Sequence, residues 1–116
     1  MTRAGTNLKI DVARSHYAAL GRFLAEGFGA KLTHHSEAMD IYHLDDGYSI
    51  GLFPVPDDQA LAPDAWERAP WLEFAVGDVE RTDGHLLACG ATRVAFQDKT
   101  HRYYRMPGGP VFRSCT

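Results

Sequence analysis

The sequence predicts an α+β fold built from two βαβββ modules, whose eight strands curl into one mixed-sheet cup with the helices on its outer face. Two observations carry this prediction. A half-buried strand pattern occurs twice, as Leu8–Arg14 (LKIDVAR) and Trp71–Val79 (WLEFAVGDV), with Leu8, Ile10, Val12 and Leu72, Phe74, Val76 alternating against polar or small residues. Each copy is then followed by a helix-like segment, a Gly-Ala pair (Gly29-Ala30, Gly90-Ala91) and further strands, the mark of an internal repeat.

The elements follow in order. The first strand spans about Asn7 to Val12. Ser15 is placed to cap a helix running through Phe28, in which Tyr17, Leu20 and Leu24 form an apolar stripe and Gly29 closes the C-terminus. Strands are expected over Lys31–Ser36, Ile41–Leu44 and Tyr48–Phe53, the last two joined by the hairpin signal Asp45-Asp46-Gly47. Module one thus covers about 7–53. Residues 54–70 hold Pro54, Pro56, Pro63 and Pro70 with Asp57, Asp58 and Asp64, a composition that cannot sustain a sheet and reads as the linker. Trp66 within it is either a lid over a site or a plug into the core. Module two, about 71–115, repeats the plan with Asp78 as helix cap, a helix to Cys89 weakened by Gly84, and strands over Thr92–Gln97, His101–Met106 and Pro110–Cys115. Gly109 of the last hairpin corresponds to Gly47. The whole chain, 1–116, is read as one domain.

Composition narrows the function. A net charge of -3 gives no reason to expect nucleic acid or an anionic membrane. Two cysteines, Cys89 and Cys115, have no zinc or disulfide spacing and read as cytoplasmic free thiols. No stretch reaches a spanning length, and the first residues lack a signal peptide's apolar core. There is no phosphate loop, nucleophile elbow or supported Cys-His pair.

The paired strand ends Val12-Ala13-Arg14 and Val76-Gly77-Asp78, the two Gly-Ala pairs and the closing Tyr103 to Phe112 segment (YYRMPGGPVF) together resemble the vicinal oxygen chelate superfamily. That group contains glyoxalase I, extradiol dioxygenases, fosfomycin resistance enzymes and bleomycin-binding resistance proteins. The resemblance implies a cup that often assembles as a homodimer. It also implies a divalent metal held by four side chains, one on the first and one on the last strand of each module. Counted from the strand-end valines and hairpin glycines, those positions are Asn7, Gly51, Trp71 and Arg113. None is a His or Glu, and a guanidinium would repel a cation. No metal or other cofactor is therefore expected at the usual centre.

Strand parity then places Asn7, Lys9, Asp11, Trp71, Glu73 and Arg113 on the cup side. Lys9, Asp11, Glu73 and Arg113 are expected to form one ion-pair network, with Trp71 as an aromatic wall. The reading is a sequestering protein of the bleomycin-resistance-like kind, without catalytic residues, for a small aromatic or amphipathic molecule. Its contact residues are Trp71, Glu73, Arg113, Lys9, Asp11, Phe53, Trp66 and Tyr103. One alternative is a lyase, isomerase or dioxygenase of the same superfamily, with a metal on His43, His101 and Glu73. Another is a dimeric structural or regulatory module whose cup is filled by its own side chains.

Overall fold

A computed structural model describes all residues from 1 to 116. Both halves have the strand, helix, three-strand order that the repeat predicts. The first comprises β1 (Asn7–Ala13), α1 (Arg14–Arg22) continued by a π-helical turn (Phe23–Gly27), β2 (Lys31–His35), β3 (Asp40–His43) and β4 (Ser49–Val55). The second comprises β5 (Leu72–Ala75), α2 (Val79–Ala88), β6 (Thr92–Val94), β7 (Arg102–Arg105) and β8 (Val111–Cys115). The eight strands divide into two four-stranded mixed sheets, ordered β1-β4-β3-β2 and β5-β8-β7-β6. In each, the first and last strands of the half are parallel neighbours. β1 and β5 each keep one unpaired edge.

Parity falls as the alternation requires. Ile10 and Val12 are buried in the core while Asn7, Lys9 and Asp11 stay exposed on the opposite face. The α1 stripe also holds, with Leu20 and Leu24 fully buried and Phe23 added to it. Each sheet thus has one face covered by a helix and one open face.

The halves join where the π turn ends. A π-helix has a wider turn than an α-helix, and the wider turn sets Phe28 beside Phe23, with ring centroids 5.1 Å apart. Phe28 reaches Phe74 at 4.7 Å and Phe112 at 5.2 Å, both on the helix-covered face of the second sheet. Each aromatic contact of this kind adds about 0.5–1.5 kcal/mol beyond its area burial.

The capping prediction for Ser15 is corrected. The residue before α1 is Ala13, which supplies no side-chain cap. The Ser15 amide instead donates to Asp57 Oδ1 of the linker at 3.1 Å, because a carboxylate at a helix N-terminus meets free amides and the positive end of the dipole. Hydrogen bonding from Ser15, its hydroxyl first and then this amide, holds the Asp57 carboxyl below its usual range. Asp78 caps α2 as expected, accepting from the Arg81 amide at 3.1 Å. Gly29 and Gly90 close their helices at φ +70° and +114°, a conformation that favours glycine. The match of Gly109 with Gly47 is visible in the turns: Gly47 donates to the Leu44 carbonyl and Gly109 to the Met106 carbonyl.

Tyr17 bridges α1 to the sheet by donating its hydroxyl to the Leu52 carbonyl at 3.0 Å. Burial, reinforced by the nearby Asp40 carboxylate, pushes its phenol up to about 12. A folded-state value above the unfolded one means that the neutral phenol is favoured by folding, so its contribution is full below about pH 10 and is lost as the pH rises toward 12. Urea unfolding across pH 8–12 is expected to show stability falling in the upper part of that range, with Tyr17→Phe flattening the fall. An unchanged slope in the variant would contradict this assignment.

Candidate functional site

The open face of the first sheet is sparsely furnished. Lys9 pairs with Asp11 at 3.1 Å and lies 4.9 Å from the centroid of the Phe53 ring. Asn7 Oδ1 accepts from the Ser49 hydroxyl at 2.7 Å. Gly51 stands opposite Lys9 in the parallel ladder. With 62% and 51% of their side chains exposed, Lys9 and Asp11 form a solvent-screened pair of small energetic weight.

The open face of the second sheet is richer. Glu73 and Arg113 are ladder partners, and the Arg113 Nε donates to Glu73 Oε2 at 2.5 Å. Arg113 also approaches Asp98 at 3.9 Å. Asp98 is a hub. Its Oδ2 is 2.8 Å from both the Tyr103 hydroxyl and the His101 Nδ1, while Oδ1 accepts from the Thr100 amide and hydroxyl. Those bonds, from Thr100 first and then Tyr103 and His101, hold the Asp98 carboxyl well below the usual carboxylate range. Above the hub, the rings of Trp71, Phe96 and Tyr103 contact one another at centroid distances of 4.8–5.4 Å. The Trp71 indole N–H donates to the Glu67 carbonyl at 3.0 Å, which fixes the ring.

The predicted network of four charges is therefore corrected to two separate pairs. Lys9–Asp11 and Glu73–Arg113 lie on different sheets, and no ion pair joins them. The sequence alone could not show this, because it predicted one continuous cup in which the first strands of both modules converge. Trp66 is resolved as the plug: it packs against the core, and its buried indole N–H finds no acceptor. Tyr103 sits buried beneath Trp71 and Phe96, and Phe53 is half-buried beside Lys9.

Phe96 and Asp98 were not foreseen. Strand β6 stops at Val94, and the following chain turns so that Asp98 binds the Thr100 amide. An Asp two residues before Thr in a polar run, Gln97 to Thr100, is an Asx-turn signal that could have located the hub.

A cleft of about 720 Å³ opens beside this face. The first-half hairpin, Leu44 to Tyr48, forms one wall together with Phe28, and consecutive residues from Trp71 to Val76 form the other. Of the eight predicted contact residues, Trp71 and Glu73 line it.

No protein-family profile matches the chain, and no curated protein sequence matches it. Solved structures do match over nearly its whole length. A possible glyoxalase from Bacillus cereus is 17% identical with a TM-score of 0.73, covering 99% of this chain and 100% of its own. The fosfomycin resistance protein FosX from Mesorhizobium loti is 14% identical with a TM-score of 0.74, covering 98% and 91%. FosX from Listeria monocytogenes, 13% identical with a TM-score of 0.72 and coverage of 98% and 90%, is complexed with Mn(II) and a dihydroxypropylphosphonic acid. The fold is that of these glyoxalase-like and fosfomycin resistance structures.

The metal that this fold implies does not fit the residues present. Gly51 offers no side chain, Trp71 has no lone-pair donor, Asn7 has only a neutral amide oxygen already accepting from Ser49, and Arg113 is a cation already engaged by Glu73. No group of three His, Cys, Asp or Glu side chains lies close enough to hold a metal ion. Within one chain the alternative set His43, His101 and Glu73 is not brought together: His43 bonds Thr33 at 2.7 Å in the first sheet, while His101 is engaged by Asp98 in the second.

The two ion pairs are expected to be energetically independent. A double-mutant cycle between Lys9→Ala and Glu73→Ala, read by urea unfolding, should be additive within experimental error. Measurable coupling would restore the single network.

Proposed function

We propose that the chain is a cytoplasmic small-molecule binding protein acting by sequestration, with no bond made or broken. The observation that carries this reading is the cleft: about 720 Å³, within the roughly 300–1,000 Å³ of drug-sized ligand sites. Trp71 forms part of its wall and continues into the aromatic corner with Phe96 and Tyr103. In this reading an aromatic or amphipathic ligand stacks on Trp71, with the Glu73–Arg113 pair fixing its polar end. An open cleft of this size favours binding over a module filled by its own side chains.

The same proposal includes a homodimer. Each sheet leaves one face open, β1 and β5 each have an unpaired edge, and every residue of β2 is exposed. A second copy would cover these edges, which isolated proteins otherwise protect. Lys9, Asp11 and Phe53 of one copy would then complete the site of the other.

The test is fluorescence and calorimetric titration with a panel of planar aromatic compounds. Saturable binding is expected, and Trp71→Ala should weaken it about tenfold, the loss of roughly 1.4 kcal/mol of stacking. Absence of saturable binding across the panel, or an unchanged Kd in the variant, would overturn the reading.

A further inference from the structure

The end of α2 sets a thiol beside an imidazole, and neither residue lines the cleft. His85 and Cys89 follow the i, i+4 spacing that places two side chains one above the other on a helix. Cys89 Sγ lies 4.0 Å from His85 Nδ1 and 3.8 Å from Nε2. The same Nε2 is 2.7 Å from the Glu26 carbonyl of the π turn. A carbonyl only accepts, so Nε2 carries the hydrogen and donates it, and Nδ1 keeps its lone pair. Proteins orient metal-binding histidines in this way, with the second ring N–H held by a carbonyl or carboxylate. Cys89 is half-buried and His85 exposed, so an ion reaches both from solvent. Cys115, the other thiol, ends β8 and has no imidazole beside it.

We propose that His85 and Cys89 chelate a soft monovalent metal ion, Cu(I), at a site independent of the ligand cleft. A metal ion sits about 2.3 Å from a thiolate sulfur and about 2.0 Å from an imidazole nitrogen, so one ion bridges donors up to about 4.3 Å apart. The 4.0 Å between Sγ and Nδ1 is within that reach without backbone movement. Thiolate sulfur selects Cu(I), and imidazole also suits copper. Cu(I) is satisfied by few donors, whereas zinc takes four, so a two-residue site retains the first ion and loses the second. Binding exchanges the Cys89 thiol proton for the ion, and the proton passes to solvent. Copper enters and stays as Cu(I), so no electron is transferred.

The test is anaerobic titration of the whole chain with Cu(I) in competition with bicinchoninate, followed by elemental analysis of the copper retained after desalting. The wild type should keep near one equivalent. His85→Gln retains an N–H for the Glu26 carbonyl but has no imidazole lone pair, and it should weaken binding at least about tenfold. Cys89→Ser should abolish retention, and Cys115→Ser should leave it unchanged. Zinc taken through the same procedure should be lost. Equal affinity in the wild type and His85→Gln would reduce Cys89 to an ordinary thiol and overturn the chelate. Retention that survives Cys89→Ser, or no retention by the wild type, would overturn it as well.

Discussion

The structure depends on a cluster of four phenylalanines. The two sheets share no strand ladder, so the docking of the halves rests on side chains, and Phe23, Phe28, Phe74 and Phe112 are its centre. The cluster exists because the first helix ends in a π turn, which brings Phe28 round to Phe23 and carries both onto the second sheet. Everything proposed about function inherits this geometry. Phe28 and Phe74 belong both to the cluster and to the lining of the cleft, so the contact that joins the halves also shapes the space between the first hairpin and β5.

That arrangement divides labour between the faces of each sheet. The covered faces supply the core, with Tyr104 stacked on Phe112 at 5.2 Å and its hydroxyl donated to Asp83 of α2 at 2.7 Å. The open faces carry the polar and aromatic groups. In the first half these are few, and Lys9 turns toward its own neighbours. The second half is organised by Asp98, a single carboxylate gathering Thr100, His101 and Tyr103 and thereby holding the ring on which Trp71 and Phe96 rest.

Much of the fold was legible because its signals are local. The period of two in Leu8–Val12 and Leu72–Val76, the stripe of Leu20 and Leu24, the hairpin Asp45-Asp46-Gly47 and the closing glycines each depend on near neighbours in sequence. The site was legible only in part. Parity alone put Trp71, Glu73 and Arg113 on one face of the second sheet. What could not be read was the distance between the halves, since it depends on the π turn, a tertiary choice with no short-range signature in Phe23–Gly27. Ser15 was misassigned for a similar reason: the residue that caps α1, Asp57, lies 42 positions away. Phe96 and Asp98 follow an early end to β6 that residue preferences from Thr92 to Gln97 did not reveal.

The central claim is that this chain has the fold of the glyoxalase and fosfomycin resistance structures without a metal centre at Asn7, Gly51, Trp71 and Arg113. Metal content per chain tests it most directly, measured by elemental analysis after equilibration with zinc, nickel, manganese and iron(II) and removal of the unbound ions. The account predicts well under one equivalent of each. Tight retention near one equivalent, lost on substituting His43 or His101, would contradict it and return the chain to metal-dependent chemistry.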